Sequence, residues 1–201
     1  HGRMASDVPN FYYGDPDKTR LYPNRGLLTE KGLKHIVECV EAMKGVLGDE
    51  VGLALDAGPG FTVPDAIRLA KMLEPFNVMW LEDMLTGDYT PYVLADLYRE
   101  VRRSTSTPIH TGEQIYLRQN FRELIETQAV NIVGPDPADV GGIAELKWVA
   151  EFADLHGVMM APHGVLDGLI GLAALVPAAD VRGVGGGGGF SAPGGGGGFG
   201  A

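Results

Sequence analysis

Apolar positions along this chain follow two periods in turn. Leu33, Ile36, Val37, Val40 and Met43 fall at helical spacing and predict a helix from Thr29 to near Gly48. A short apolar strand over residues 51–55 comes next. Thr62, with Pro64 in the first turn and Asp65 three residues on, has the pattern of a helix start, where a hydroxyl accepts from otherwise unpaired N–H groups. The alternation continues with strands over 78–81, 108–111, 130–133 and 158–161. Helices over about 91–103, 118–127 and 142–156 separate them, and another is predicted over 166–176. Strands interleaved with helices imply parallel pairing through right-handed crossovers, an α/β architecture.

The two ends differ from this middle. Residues 1–28 are rich in Pro, Gly, Tyr and Asp and have no period, so they read as loop. Residues 183–201 contain two runs of five glycines. Such a segment buries too little apolar surface to offset its chain entropy, and reads as a disordered or artefactual tail. Residues 29–182 read as the α/β domain that carries the candidate site residues.

Composition narrows the partners. With 45% hydrophobic and 21% charged residues the chain has the balance of a globular protein. A net charge of −10, from 26 acidic and 16 basic residues, argues against nucleic acid, which needs a basic footprint. No apolar run approaches the roughly 18 residues of a membrane span. The single cysteine, Cys39, excludes an internal disulfide and reads as a buried thiol in a helix. No disulfide framework and no signal peptide give a cytoplasmic expectation.

The chemistry stands at the strand ends. Asp56, Glu82, Glu113, Asp136 and His163 each follow an apolar run, and each follows the last by the length of one βα unit. In parallel α/β folds the carboxyl ends of the strands are where sites are assembled. A single acid there also reads as a helix cap or a loop charge; a series in consecutive units favours a site. Asp56, Glu82 and Glu113 would repel one another without a cation, and hard oxygen donors suit Mg²⁺ better than zinc. His163 is a proton acceptor near neutral pH, and Asp136 on the adjacent strand is placed to orient its ring. The alternative is a hydrogen-bonded structural histidine in Ala161-Pro162-His163-Gly164. Strand alternation counted back from Glu113 puts Thr111 on the same face and His110 on the other, packed beneath a helix. His35 and His156 lie on helices and read as surface or helix-end residues.

These residues and their surroundings resemble the enolase superfamily, in its mandelate racemase/muconate lactonizing branch. The matching stretches are Leu55-Asp56-Ala57-Gly58, Trp80-Leu81-Glu82-Asp83, Thr111-Gly112-Glu113-Gln114, the run from Pro135-Asp136 to Gly141-Gly142-Ile143, and Ala161-Pro162-His163. The resemblance covers about residues 29–176 and implies a (β/α) TIM-type barrel, incomplete here, with strands three to seven recognisable. It places residues 1–28 before the third barrel unit. The N-terminal capping domain, the second-strand base and the eighth-strand acid of the family are not found in this chain.

Similarity to the family implies Mg²⁺ on Asp56, Glu82 and Glu113, and an Asp136–His163 dyad as general base or acid. The implied reaction is abstraction of the proton α to a carboxylate through an enediolate, with dehydration of a sugar acid (a hydro-lyase reaction) as the leading outcome. A single dyad can take the α-proton and then protonate the departing hydroxyl. Racemisation or epimerisation of a 2-hydroxy acid needs bases on both faces, and is the alternative on the same scaffold. A non-catalytic metal-binding barrel is a third reading, prompted by Gly58, where relatives often carry a polar side chain. Arg20, Gln114 and Tyr116 are the candidate substrate contacts; Arg20 falls, with Lys18 and Tyr22, in what resembles the loop after the second strand. A homo-oligomer is expected, closed symmetric assemblies being the common form.

Overall fold

The computed structural model describes residues 28–58, 61–85 and 94–164. Arg20, the helix anticipated over 166–176, the tail and nearly all of residues 1–28 lie outside them. Helix α1 (Glu30–Leu47) starts where Thr29 Oγ1 accepts from the Gly32 N–H at 3.0 Å. It stops at Gly48, whose φ of 64° is easily adopted without a Cβ. Strand β1 (Ala54–Asp56) leads to α2 (Val63–Leu73), capped by Thr62 as its sequence predicts. Asp65 in that first turn is buried but well paired: it accepts from the Leu28 N–H at 2.8 Å and from the Thr62 hydroxyl at 3.3 Å.

The units then repeat as β2 (Trp80–Glu82), α3 (Ala95–Arg103), β3 (Ile109–Thr111), α4 (Arg122–Glu126), β4 (Ile132–Val133), α5 (Ile143–Leu155) and β5 (Met159–Met160). The helix expected over 118–127 is broken. Leu117 takes a positive φ of 61°, a single 3₁₀ turn spans Arg118–Asn120, and only then does α4 begin. Arg118 is drawn across to α5, where its Nε lies 2.8 Å from both carboxylate oxygens of Glu145. That fork holds the Glu145 carboxyl below its usual range.

Each strand pairs with the next in parallel, in the order β1-β2-β3-β4-β5. The order never reverses, unlike a doubly wound sheet. With right-handed crossovers all running the same way, the helices collect on one face and the other face is left as the inside of an arc. Tyr98, Val101, Ile109, Leu124, Val133 and Val149 are among the fully buried side chains that join helices to sheet. The strands are shorter than the apolar runs that announced them. Val78, Val130 and Val158 are buried in the core but precede the ladder, whereas Val51 is half exposed. Among the described residues no helix is long and apolar enough to cross a membrane. Cys39 is half-buried, 3.7 Å from His35 Nε2 one helical turn earlier, so it is less enclosed than its apolar neighbours imply.

Candidate active site

The parallel register brings the acidic residues to one level. Asp56 is the ladder partner of Glu82, and Glu82 is the partner of His110. Oxygens of Glu82, Asp83 and Glu113 all lie within 4.8 Å of one another. Glu82 and Glu113 therefore meet as the sequence predicts. Asp56 is not in that set of three: it is exposed at the end of β1, and its Oδ1 accepts from the Gly58 N–H at 2.7 Å.

Strand alternation does not by itself place Asp83 with Glu82, since neighbours on a strand point to opposite faces. Its φ of 46° turns the chain and suspends that rule. Asp83 is buried and accepts from the Thr111 hydroxyl at 2.7 Å. The adjacent acids in Glu82-Asp83 were the available signal.

The Asp136–His163 pair forms as expected. Asp136 Oδ2 lies 2.9 Å from His163 Nδ1. Asp136 Oδ1 accepts from the N–H groups of Ala138 at 2.7 Å and Asp139 at 3.4 Å, which fixes the carboxylate in its turn. The loop then passes through Gly141 and Gly142, with φ of 107° and 102°, backbone that L side chains rarely adopt. The other ring nitrogen of His163, Nε2, lies 3.0 Å from Glu113 Oε2. This imidazole thus links the orienting carboxylate to the acidic cluster. It donates to both sides only as the protonated ring, the form a base has after taking a proton.

His110 corrects the sequence reading. It lies on the face of Glu82, not beneath a helix. Gly112, with φ of 138°, breaks the alternation by which His110 was counted back from Glu113. His110 is 2% exposed, stacks on Trp80 with centroids 5.4 Å apart, and donates from Nε2 to the Ala161 carbonyl at 3.1 Å. Its Nδ1 has no hydrogen-bond partner among the described residues and stands 3.5 Å from Glu82 Oε2. Burial pushes this imidazole below its ordinary pKa, against the pull of the Glu82 carboxylate. An orphaned buried polar atom costs about 1–3 kcal/mol, so a function is the natural place to look for its reason.

The ring of His110 crosses β4 where Gly134 leaves room. A Cβ at position 134 would sit 2.2 Å from His110 Cε1 and 2.9 Å from the Ala161 carbonyl oxygen. Gly134→Ala is therefore expected to destabilise the fold by about 1–3 kcal/mol through overpacking, measured by urea unfolding. An unchanged midpoint would mean that the ring does not pass there. Of the candidate substrate contacts, Gln114 is half-buried beside Glu113, and Tyr116 is 43% exposed on the following loop.

This geometry agrees with sequence comparison. Residues 18–182 match the family described as Enolase C-terminal domain-like. The chain belongs to that family. Among its enolase-family relatives, D-xylonate dehydratase of Haloferax volcanii is 40% identical over 133 residues, 66% of this chain and 31% of the relative. The mandelate racemase/muconate lactonizing enzyme-like protein from Rubrobacter xylanophilus superposes with a TM-score of 0.73 at 36% identity, over 84% of this chain and 41% of that one. L-Talarate dehydratase from Polaromonas sp. JS666, solved with Mg and L-glucarate, gives 0.63 at 30% identity, over 74% and 40%. The chain spans less than half the length of each of these relatives. Its five-stranded parallel sheet is an arc of the (β/α) barrel of the enolase superfamily.

Proposed function

We propose that this chain carries the acid–base and metal-binding part of a hydro-lyase that dehydrates a sugar acid. The observation that carries the reading is His163, held between Asp136 at 2.9 Å and Glu113 at 3.0 Å, beside a cluster of carboxylates. His163 takes the proton α to the substrate carboxylate, and Asp136 fixes the ring and offsets the charge it gains. The same ring then returns its proton to the β-hydroxyl, which leaves as water. An enol remains and tautomerises to the 2-keto-3-deoxy acid.

Mg²⁺ suits the hard oxygen donors present. Glu82 and Glu113 would hold it together with Asp56, the ladder partner of Glu82. Asp83, buried and already engaged by the Thr111 hydroxyl, supports that set. A cation bound there supplies positive charge for the substrate carboxylate as negative charge grows on it. Gln114 and Tyr116 extend the site towards the hydroxyls of the substrate, and Arg20 is the proposed cationic contact for its carboxylate.

The test is turnover by the full chain with Mg²⁺ and a panel of sugar acids that includes D-xylonate and D-mannonate. A 2-keto-3-deoxy product is expected, lost on chelation by EDTA and regained when Mg²⁺ is added back. No dehydration of any sugar acid, with racemisation of a 2-hydroxy acid in its place, would overturn the assignment. Tight metal binding with no α-hydrogen exchange on any carboxylate would favour a binding protein.

A further inference from the structure

We infer that His110 is a positioning residue: it braces Trp80, whose indole N–H holds Glu82, and it ties that pair to the backbone beside His163. The inference rests on the proposed metal site, because Glu82 is one of the ligands assigned there.

Trp80 Nε1–H donates to Glu82 Oε2 at 2.9 Å. Two residues apart on β2, the indole and the carboxylate share a face, so the indole fixes one carboxylate oxygen from alongside. An indole standing half-buried on a short strand needs its own support. The imidazole of His110 supplies it by stacking, with an interplanar angle of 23°. His110 is anchored in turn at its far end, where Nε2–H donates to the Ala161 carbonyl at 3.1 Å. Ala161 stands two residues before His163. The path Ala161–His110–Trp80–Glu82 therefore connects the strand of the base with the strand of a proposed metal ligand, over the gap that Gly134 leaves.

The residue type follows from the two demands. Phenylalanine at 110 would stack but leave the Ala161 carbonyl unpaired; an amide would reach the carbonyl but not stack. With its hydrogen committed to Nε2, the neutral imidazole has only a lone pair at Nδ1, which is why the 3.5 Å approach of that atom to the Glu82 carboxylate is not a hydrogen bond. Groups that orient metal ligands typically change metal affinity 10- to 100-fold when removed.

The experiment titrates the full chain with Mn²⁺, reading free ion by electron paramagnetic resonance. Parent, His110→Phe, Trp80→Phe, the double variant, and Val149→Ala are compared. Val149 is buried in α5, is no member of the Glu82–Asp83–Glu113 cluster, and controls for general loosening of the fold. Each single site variant is expected to bind Mn²⁺ about tenfold more weakly. The double variant should lose no more than the worse single one, since both act on one carboxylate oxygen. Val149→Ala should match the parent.

Parental affinity in Trp80→Phe and His110→Phe would overturn the inference. Losses that multiply in the double variant, or an equal loss in Val149→Ala, would do so as well. If His110→Phe does not fold, Trp80→Phe decides alone. A parent that binds no Mn²⁺ would bring down the metal assignment itself, an outcome distinct from intact parental binding that the variants leave unchanged.

Discussion

His163→Asn is expected to lower exchange of the substrate α-hydrogen with D₂O by about 10²–10⁴-fold, the usual contribution of a positioned general base. Asparagine keeps an amide within reach of Asp136 but has no basic nitrogen. The side chain of His163 is 28% exposed and lies outside the buried apolar cluster, so thermal unfolding should shift little. The two readouts together separate chemistry from folding. Deuterium exchange measured by NMR on a turned-over sugar acid is the check. A variant that still exchanges at the parental rate would place the base elsewhere and leave His163 as an ordinary hydrogen-bonded histidine. A variant that loses exchange only because it unfolds would show a lowered melting midpoint.

Much of this arrangement was legible in the residue order, and the parts that were not have identifiable causes. Parallel α/β topology was readable because each apolar run is followed by an amphipathic segment, and the sheet follows chain order without reversal. The caps at Thr29 and Thr62 were readable because a hydroxyl ahead of a helix has a specific role. The Asp136–His163 pairing was readable because both stand at adjacent strand ends. Three places were not. Asp83 and Gly112 both take positive φ, and each ends the two-residue alternation on which face assignments depend. One brings Asp83 into the acidic cluster; the other leaves His110 beside Glu82 instead of opposite it. Binary patterning carries no signal for a reversed φ at Asp83, and at Gly112 a glycine permits one without requiring it. The break at Leu117 belongs with them, because the pull of Glu145 on Arg118 comes from a helix distant in sequence.

Asp136→Asn tests the orienting role by setting polarity against shape. In the native site Asp136 Oδ1 is committed to the N–H groups of Ala138 and Asp139, so Oδ2 alone faces His163 Nδ1. An asparagine that keeps its oxygen on those two amides must turn its NH₂ towards Nδ1. The imidazole then accepts at Nδ1 and carries its hydrogen on Nε2, the nitrogen that faces Glu113, and has no lone pair there to receive a proton. The expected result is a fall in kcat of about 10²–10⁴-fold at nearly unchanged stability. Asp136→Ala removes the acceptor without imposing the wrong tautomer, and should retain more activity than Asp136→Asn, although alanine is further from aspartate in shape. Steady-state kinetics on both variants, with 15N shifts of the imidazole reporting the tautomer, decides the matter. Should Asn outperform Ala, size and turn geometry would govern the site, and the hydrogen-bond direction between Asp136 and His163 would not be what sets the base.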